Sequence, residues 1–454
     1  MERRPHVVII GGGFGGLSAA RALAKAPVNV TLVDRRNHHL FQPLLYQVAT
    51  AALNPSDIAY PIRGVLAAQK NVRVLLADAL AIDVDTRHVV LDDGALDYDF
   101  LVVATGATHS YFGKDWSKLA PGLKSIEDAL EIRRRVFLAY EAAERESDPV
   151  AQREWLTFAV VGGGPTGVEL AGALGEIGLH TLANDFRSID STQVRVLLFE
   201  GQDRVLGTYP AKLGAAAKKS LEKRHVEVRL QTLVTAIDDR GVTVNHANTE
   251  ERIRTRTVLW AAGVQASALA VSLGAPRDRA GRVEVNPDLS IPGHPEVFVV
   301  GDLAKTLNSD GTQVPGVAQG ALQGGKHAAK LIIDEVRGKP ASPRKAFRYH
   351  DKGNMATIGR ASAVVATKRV AIHGLVAWLM WWAVHVMFLV GFRNRVFVML
   401  SWAWSWLTFT RGARLITGDH GPLPEIRTIG RDGTVLLPPT AGAVSLDAEQ
   451  QHSA

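Results

Sequence analysis

The pattern that most limits the fold of this chain is a strand–glycine–helix unit that occurs twice. The apolar run HVVII (6–10) reads as a buried parallel strand. It leads into Gly11, Gly13 and Gly16 in G-x-G-x-x-G spacing, with Gly15 between, and then into the helix former LSAARALAK. Glycine at these places allows a tight turn, close approach of backbone to a pyrophosphate, and close helix–strand packing. The helix N-terminus then offers unpaired N–H groups to phosphate oxygens. A second strand, VNVTLVD, ends in Asp34, next to Arg35. An acid there accepts hydrogen bonds from ribose hydroxyls. A lone glycine motif is weak, but strand, helix and acid together favour a dinucleotide site over a glycine-rich turn.

The unit recurs in FAVVGGGPTGVELAGAL (158–174), with Gly162, Gly164 and Gly167, and VRVLLFE (194–200) closes it at Glu200. The gap before Glu200 exceeds the usual ~20 residues, so GEIGLHTLANDFRSIDSTQ must supply a longer helix or an inserted loop. A carboxylate at 200 repels a 2′-phosphate and favours NADH over NADPH, with Arg204 nearby as the opposing charge. FLVVATGA (100–107), containing Ala104 and Gly106, and TVLWAAGV (257–264), containing Gly263, are matching strands that each close a nucleotide domain. EVFVVGDLA (296–304) adds a strand ending in Gly301-Asp302. Two such sites in one chain suggest that one nucleotide stays bound and relays electrons from the other.

At 454 residues there is room for two or three domains. There are no cysteines, which excludes disulfides, cysteine-held iron–sulfur clusters and thiol redox chemistry. The net charge is +7 and the pI about 9.5, which suits anionic lipid, nucleic acid or merely a solvated basic surface. No basic run with interleaved aromatics, zinc spacing or RNA-binding signature supports nucleic acid, so none is expected. No calcium loop or other metal site is expected either. No signal peptide is read before the first strand, so the catalytic part is expected to stay in the cytoplasm.

In the order of its parts the chain resembles the two-dinucleotide-binding-domain flavoproteins. That resemblance implies an α/β fold of two Rossmann-like domains: an FAD domain (1–108), an inserted NADH domain (109–278) and a returning FAD part (279–345). Asp302 would then contact the flavin ribityl chain. The missing cysteines remove the branches that use thiols beside the flavin. VPGVAQGALQGGKHAAK (314–330) resembles the A-Q-x-A-x-Q signature of type II NADH:quinone oxidoreductases, through Ala318, Gln319, Ala321 and Gln323.

A helix starting just after Pro315 aims its N–H dipoles at the flavin edge. Gln319 and Gln323 share a helical face, and their amides can donate to quinone carbonyls; the bland reading is a glycine-rich helix packed on the flavin. The resemblance also sets Gln42-Pro43 and Leu44–Gln47 along the isoalloxazine, and Lys352 near flavin and quinone. It puts Glu169, in the first turn of the second glycine-motif helix, near nicotinamide and flavin. The rival readings are a core helix, a solvated lysine and a dipole-stabilised acid. The implied chemistry is hydride transfer from NADH to non-covalent FAD, then two electrons to a membrane quinone (menaquinone or ubiquinone), without proton pumping. A homodimer stays open. The rivals are a reductase of a rubredoxin- or ferredoxin-like carrier and a membrane-associated redox sensor.

AIHGLVAWLMWWAVHVMFLVGF (371–392) contains no Asp, Glu, Lys or Arg and, as one helix, is long enough to cross a ~30 Å hydrocarbon core. RNR (393–395) interrupts it and VFVMLSWAWSWLTF (396–409) continues it. Six of the nine tryptophans lie between Trp378 and Trp406, and tryptophan prefers the headgroup boundary. Basic residues on every side (Lys368, Arg369, Arg393, Arg395, Arg411, Arg414) give no clean orientation. Residues 346–420 are therefore expected to form a membrane-associated helical segment on the cytoplasmic face of the cell membrane. Two helices lying in one leaflet are favoured; a single span and a buried core pair are the alternatives. Residues 421–454 read as a polar, mobile tail.

Overall fold

The computed structural model describes residues 3–308, 310–339, 344–408, 411–418, 423, 428–429 and 435–436. The expectation for the 421–454 tail falls outside the described residues, apart from Leu423 and a pair of two-residue strands.

The chain opens with β1 (His6–Ile10), α1 (Phe14–Ala22), β2 (Asn29–Asp34), the short α2 (Leu45–Ala49), β3 (Val72–Leu76) and β4 (Phe100–Val103). It leaves this unit through β5 (Ala107–His109) and the long α3 (Ile126–Arg145). The second unit is β6 (Thr157–Val161), α4 (Pro165–Glu176), β7 (Arg195–Phe199), β8 (Val226–Arg229) and β9 (Thr257–Trp260). Its strands form a parallel sheet in the order β8-β7-β6-β9. β10 (Val264–Ala266) returns beside β5, with Thr108 opposite Gln265, so a two-stranded ribbon carries the chain in both directions between the units.

β11 (Ser290–Ile291) and β12 (His294–Val299) then complete the first sheet, in the order β11-β12-β4-β1-β2-β3. Five of its strands, β1, β2, β3, β4 and β12, pair in parallel. Parallel strands covered on both faces have to be apolar throughout, and β4, β6 and β9 are buried along their whole length. The long gap before Glu200 is filled by a π-helical turn (Ile177–Thr181) and a loop ending in a 3₁₀ turn (Ser191–Gln193).

α5 (Ala318–Val336) packs against α1. The two backbones come so close that a Cβ on Gly325 would overlap the Gly15 carbonyl, and Ser18 Oγ donates to Leu322 O at 2.9 Å. This contact sets the helix bearing Gln319 and Gln323 directly over the first glycine motif. The helix starts at Ala318 rather than just after Pro315, because Val317 is extended and its N–H is taken by the Pro315 carbonyl.

The C-terminal part is an antiparallel meander, β13 (Asn354–Gly359), β14 (Ser362–Ala366) and β15 (Ala371–Gly374), followed by α6 (Leu375–Phe388) and α7 (Phe392–Thr408). The run 371–392 is thus not one helix. Its first four residues are held as a strand by β14, with Ala363 opposite Gly374, and Gly374 turns the chain at φ 86°. The 14 residues of α6 span about 21 Å, short of a ~30 Å core. The 393–395 run lies inside α7 instead of breaking the structure. Among the described residues no helix is long and apolar enough to cross a membrane, so the single-span alternative loses its premise.

α6 buries Ala377, Trp381 and His385 along one face. Its other face leaves Leu375, Val376, Leu379 and Met387 more than half exposed. Trp381 packs on Trp402 of α7, and Asn394 donates to Ser56 O, pinning α7 to the segment after α2.

The α1–α5 contact predicts that Gly325→Val costs about 1–3 kcal/mol through overpacking. A fall in Tm by several degrees is expected, while Lys326→Val, on the exposed side of the same helix, leaves Tm within about one degree.

Candidate active site

Two cradles are built alike. In the first, the turn from β1 into α1 puts Gly11 at φ 101° with its N–H on Val33 O; in the second, Gly162 sits at φ 105° with its N–H on Phe199 O. A Cβ on Gly16 would overlap the Gly11 carbonyl, and one on Gly167 the Gly162 carbonyl. Gly13 and Gly164 face open space, where a Cβ would touch nothing within 4 Å. Both helices begin there without a side-chain cap, so their first N–H groups stay free for an anion.

The acids are fixed by backbone. Asp34 accepts from Gly12 N at 2.6 Å and Arg36 N at 2.7 Å; Glu200 accepts from Gly163 N at 2.6 Å and Gln202 N at 2.8 Å. Despite the longer loop before it, Glu200 therefore occupies the same position as Asp34. Each carboxylate keeps lone pairs for a ribose diol. These geometries fit two dinucleotides, one per cradle. Arg35 is exposed beside the first, while Arg36 pairs with Glu127 at 3.1 Å. Ala104 closes the first cradle by donating to Ile10 O, and Ala261 closes the second by donating to Val161 O. Gly106 (φ 68°) and Gly263 immediately precede the two strands of the crossover ribbon, and the Phe112 ring covers Gly263.

Around the first cradle the distant segments converge. Gln42 Nε2 donates to Lys124 O at 3.0 Å, and the Lys124 ammonium stands 3.9 Å from Asp302. Lys124 carried no signal in the sequence, since a lone lysine in a loop has no spacing to betray it. Ala318 opens α5 beyond Gly316, whose Cβ would meet Asp302.

Gln319 and Gln323 do share one face, but both are engaged with the strap at 350–353. Gln323 Oε1 accepts from His350 N and its Nε2 donates to His350 O (2.8 and 3.0 Å). Gln319 accepts from Lys352 N and donates to Gly353 O (3.3 and 3.0 Å). Each amide thus keeps a single N–H for a ligand. Lys352 meets Gln319 through its backbone, and its side chain is exposed.

Glu169 lies one turn into α4 rather than in its first turn, because the helix already begins at Pro165. The dipole reading therefore gives way to another. The carboxyl lines a cavity of about 120 Å³ with Tyr46 and Gln47 of α2, Thr357 of β13, and Trp381, Trp382 and Trp402 of the two apolar helices. Burial pushes its pKa up to about 8, against the weaker pull of the Thr357 N–H. Below that pH it carries a proton. On the same wall Glu176 accepts from Arg224 Nε at 3.0 Å and from Arg360 N at 2.6 Å, and pairs with Arg411 at 3.5 Å. No sequence motif announced this cluster, whose members are far apart in the chain. No group of acids, histidines or cysteines among the described residues is arranged to hold a metal.

Fold and cradles together define a pyridine-nucleotide-dependent flavoprotein. The family model for pyridine nucleotide-disulphide oxidoreductases matches residues 5–325. The type II NADH:quinone oxidoreductase Ndh of Mycobacterium tuberculosis is 48% identical over 92% of this chain and 91% of its own. A second type II NADH:quinone oxidoreductase of that organism, NdhA, is 47% identical over 92% and 90%. The solved structure of Plasmodium falciparum NDH2 in complex with NADH superposes with a TM-score of 0.82 at 18% identity, covering 92% of this chain and all of that one, and so shares the fold. The chain belongs to the type II NADH:quinone oxidoreductases. It is an FAD-dependent oxidoreductase that takes NADH as substrate.

Gly13→Val puts two methyls where the pyrophosphate of the first cradle would lie, while touching no protein atom. The variant should fold with an unchanged Tm for the apoprotein yet purify without flavin, as read from its absorbance near 450 nm (roughly, as for any bound flavin). Glu200→Gln should narrow the preference for NADH over NADPH about tenfold, or ~1.4 kcal/mol, measured as the ratio of kcat/KM values.

Proposed function

We propose that this enzyme works on a lipid surface, with NADH in the Gly162 cradle, FAD in the Gly11 cradle, and a membrane quinone reaching the flavin through the Glu169 cavity. The observation that carries this reading is the cavity's position. One side is formed by α6 and α7, whose outer faces are bare and apolar, and the other by α2 and α4, which belong to the two nucleotide units. Bound FAD supplies the two-electron exchange between nicotinamide and quinone; the chain supplies placement, charge and exclusion of water.

Within that reading Gly11, Gly13, Gly15, Gly16 and Asp34 hold the flavin nucleotide, and Asp302 with Lys124 and Gln42 orders the segments beside its ring. Gly162, Gly164, Gly167 and Glu200 hold NADH. Gln319 and Gln323 keep the 350–353 strap on α5 and each present one N–H toward the flavin side. Glu169, protonated at neutral pH, adds no charge of its own to the cavity that would meet an apolar head group and its tail.

Leu379, Met387, Leu400, Trp404 and Leu407 are each at least half exposed. A contiguous apolar surface of this kind marks a membrane or partner interaction. A carrier-protein reductase needs a charged docking face, and this cavity opens among tryptophans instead. The anchor is monotopic, on the cytoplasmic face, with both helices in one leaflet.

Deleting 368–414 is not a clean test, since it removes β15 and the Arg411 contacts to Glu176 and Thr50. Replacing Leu379, Met387, Leu400 and Leu407 together by Gln should abolish co-flotation with anionic vesicles. It should also cut turnover with a long-chain quinone at least tenfold, while a short-chain quinone is affected less. For Glu169, ionisation above pH about 8 places a charge in the cavity. Flavin reoxidation by quinone should therefore fall as pH rises through 8, and Glu169→Gln should flatten that limb in a stopped-flow half-reaction.

A further inference from the structure

We propose that Tyr46 is a fixed hydrogen-bond donor to the quinone head group, aimed by a chain that runs from the anchor helix α7 through Trp402 and Gln47. The proposal rests on the cavity being the quinone's route. Trp402 Nε1 donates to Gln47 Oε1 at 2.6 Å, and Gln47 Nε2 donates to the Tyr46 hydroxyl at 2.8 Å. Indole nitrogen is a donor only, so the direction of the first bond is fixed. It holds the Gln47 carbonyl toward α7 and thereby turns the amide toward Tyr46. The Tyr46 oxygen is then the acceptor, and its own proton must point elsewhere.

Among the described residues no hydrogen bond takes that proton. Tyr46 and Gln47 are both 7% exposed and both line the cavity, as does Trp402. A buried hydroxyl with its oxygen occupied and its proton free is a donor awaiting a carbonyl. Burial raises the Tyr46 pKa well above the usual tyrosine range, so the group keeps its proton throughout the working pH range. A quinone carbonyl gains negative charge on reduction, and a preorganised neutral donor strengthens its bond as that charge develops. The arrangement also ties the donor's aim to α7. An α7 lifted from the protein leaves Gln47 free to flip and Tyr46 without a fixed direction.

The test compares quinone with ferricyanide, an acceptor that has no carbonyl, using full-length enzyme with bound flavin. Tyr46→Phe should lower the ratio of short-chain quinone turnover to ferricyanide turnover about tenfold, through kcat more than KM. Trp402→Phe should lower it several-fold, and the double variant should be no worse than Tyr46→Phe alone, as required for one chain of action. Gln47→Met, which removes both bonds at near-constant volume, should match Tyr46→Phe and serves if that variant is unstable. Ala52→Trp, on the cavity wall, separates the two layers of the argument. If it leaves the quinone ratio at the wild-type value, the cavity is not the route. If it blocks quinone while Tyr46→Phe and Gln47→Met keep the wild-type ratio, the route stands and the donor assignment is wrong. Additive losses in the double variant would show that Trp402 does not act through Tyr46.

Discussion

One carboxylate holds the parts of this enzyme together. Glu176 ends α4, the helix of the second glycine motif, and its side chain is only 17% exposed. Arg224 reaches it from the same unit, the Arg360 N–H from the turn of the C-terminal meander, and Arg411 from the segment after α7. Arg411 continues to Thr50 O, just beyond α2. Gly359 lies so close to Arg224 and Glu176 that a Cβ there would overlap both side chains. Inside a low-dielectric wall, removing the shared anion would strand two guanidinium groups, a loss of order 3–5 kcal/mol for a broken buried pair. This contact ties the cavity wall, the segment after α7 and both nucleotide units to one another.

The two cradles show how strongly backbone geometry is repeated when the ligand chemistry is the same. Positive φ at Gly11 and Gly162, close approach at Gly16 and Gly167, and an acid locked by two backbone N–H groups recur within 0.1 Å in the paired bond to Gly12 or Gly163. A helix N-terminus that lacks a side-chain cap would cost stability in an ordinary protein. In the proposed reading the uncapped positions at Gly13 and Gly164 serve binding, with phosphate oxygens in place of the missing side chain.

The proposed function gives the apolar helices a reason to be exposed on one face. In the proposed reading the electron donor is water-soluble, whereas the acceptor belongs to the lipid phase. A cavity bordered by tryptophans on one side and by Glu169 and Tyr46 on the other would join the two phases over a short path. α6 and α7 need not cross the bilayer to do this. Trp402 and Asn394 hold α7 on α2 and the residues after it, Trp381 packs α6 on Trp402, and His385 meets the Phe41 ring.

The sequence by itself determined the two nucleotide units, their order, the acid that ends each second strand and the absence of thiol chemistry. These are local matters: glycine positions, apolar strand runs and a missing residue type are legible without knowing what lies across the fold. It also marked Gln319 and Gln323 as a pair, since i and i+4 share a helical face. Tertiary structure decided the rest. That both glutamine amides are engaged by residues 350–353, that Glu169 sits one turn deeper and neutral, and that Glu200 matches Asp34 despite its long loop depend on contacts between segments far apart in the chain. So does the division of 371–392. Composition made that run look like one helix, but β14 claimed its first four residues because an unpaired strand edge in the meander gained backbone hydrogen bonds there. Hydrophobicity says only that a segment leaves water; which neighbour it pairs with is settled when the chain is folded.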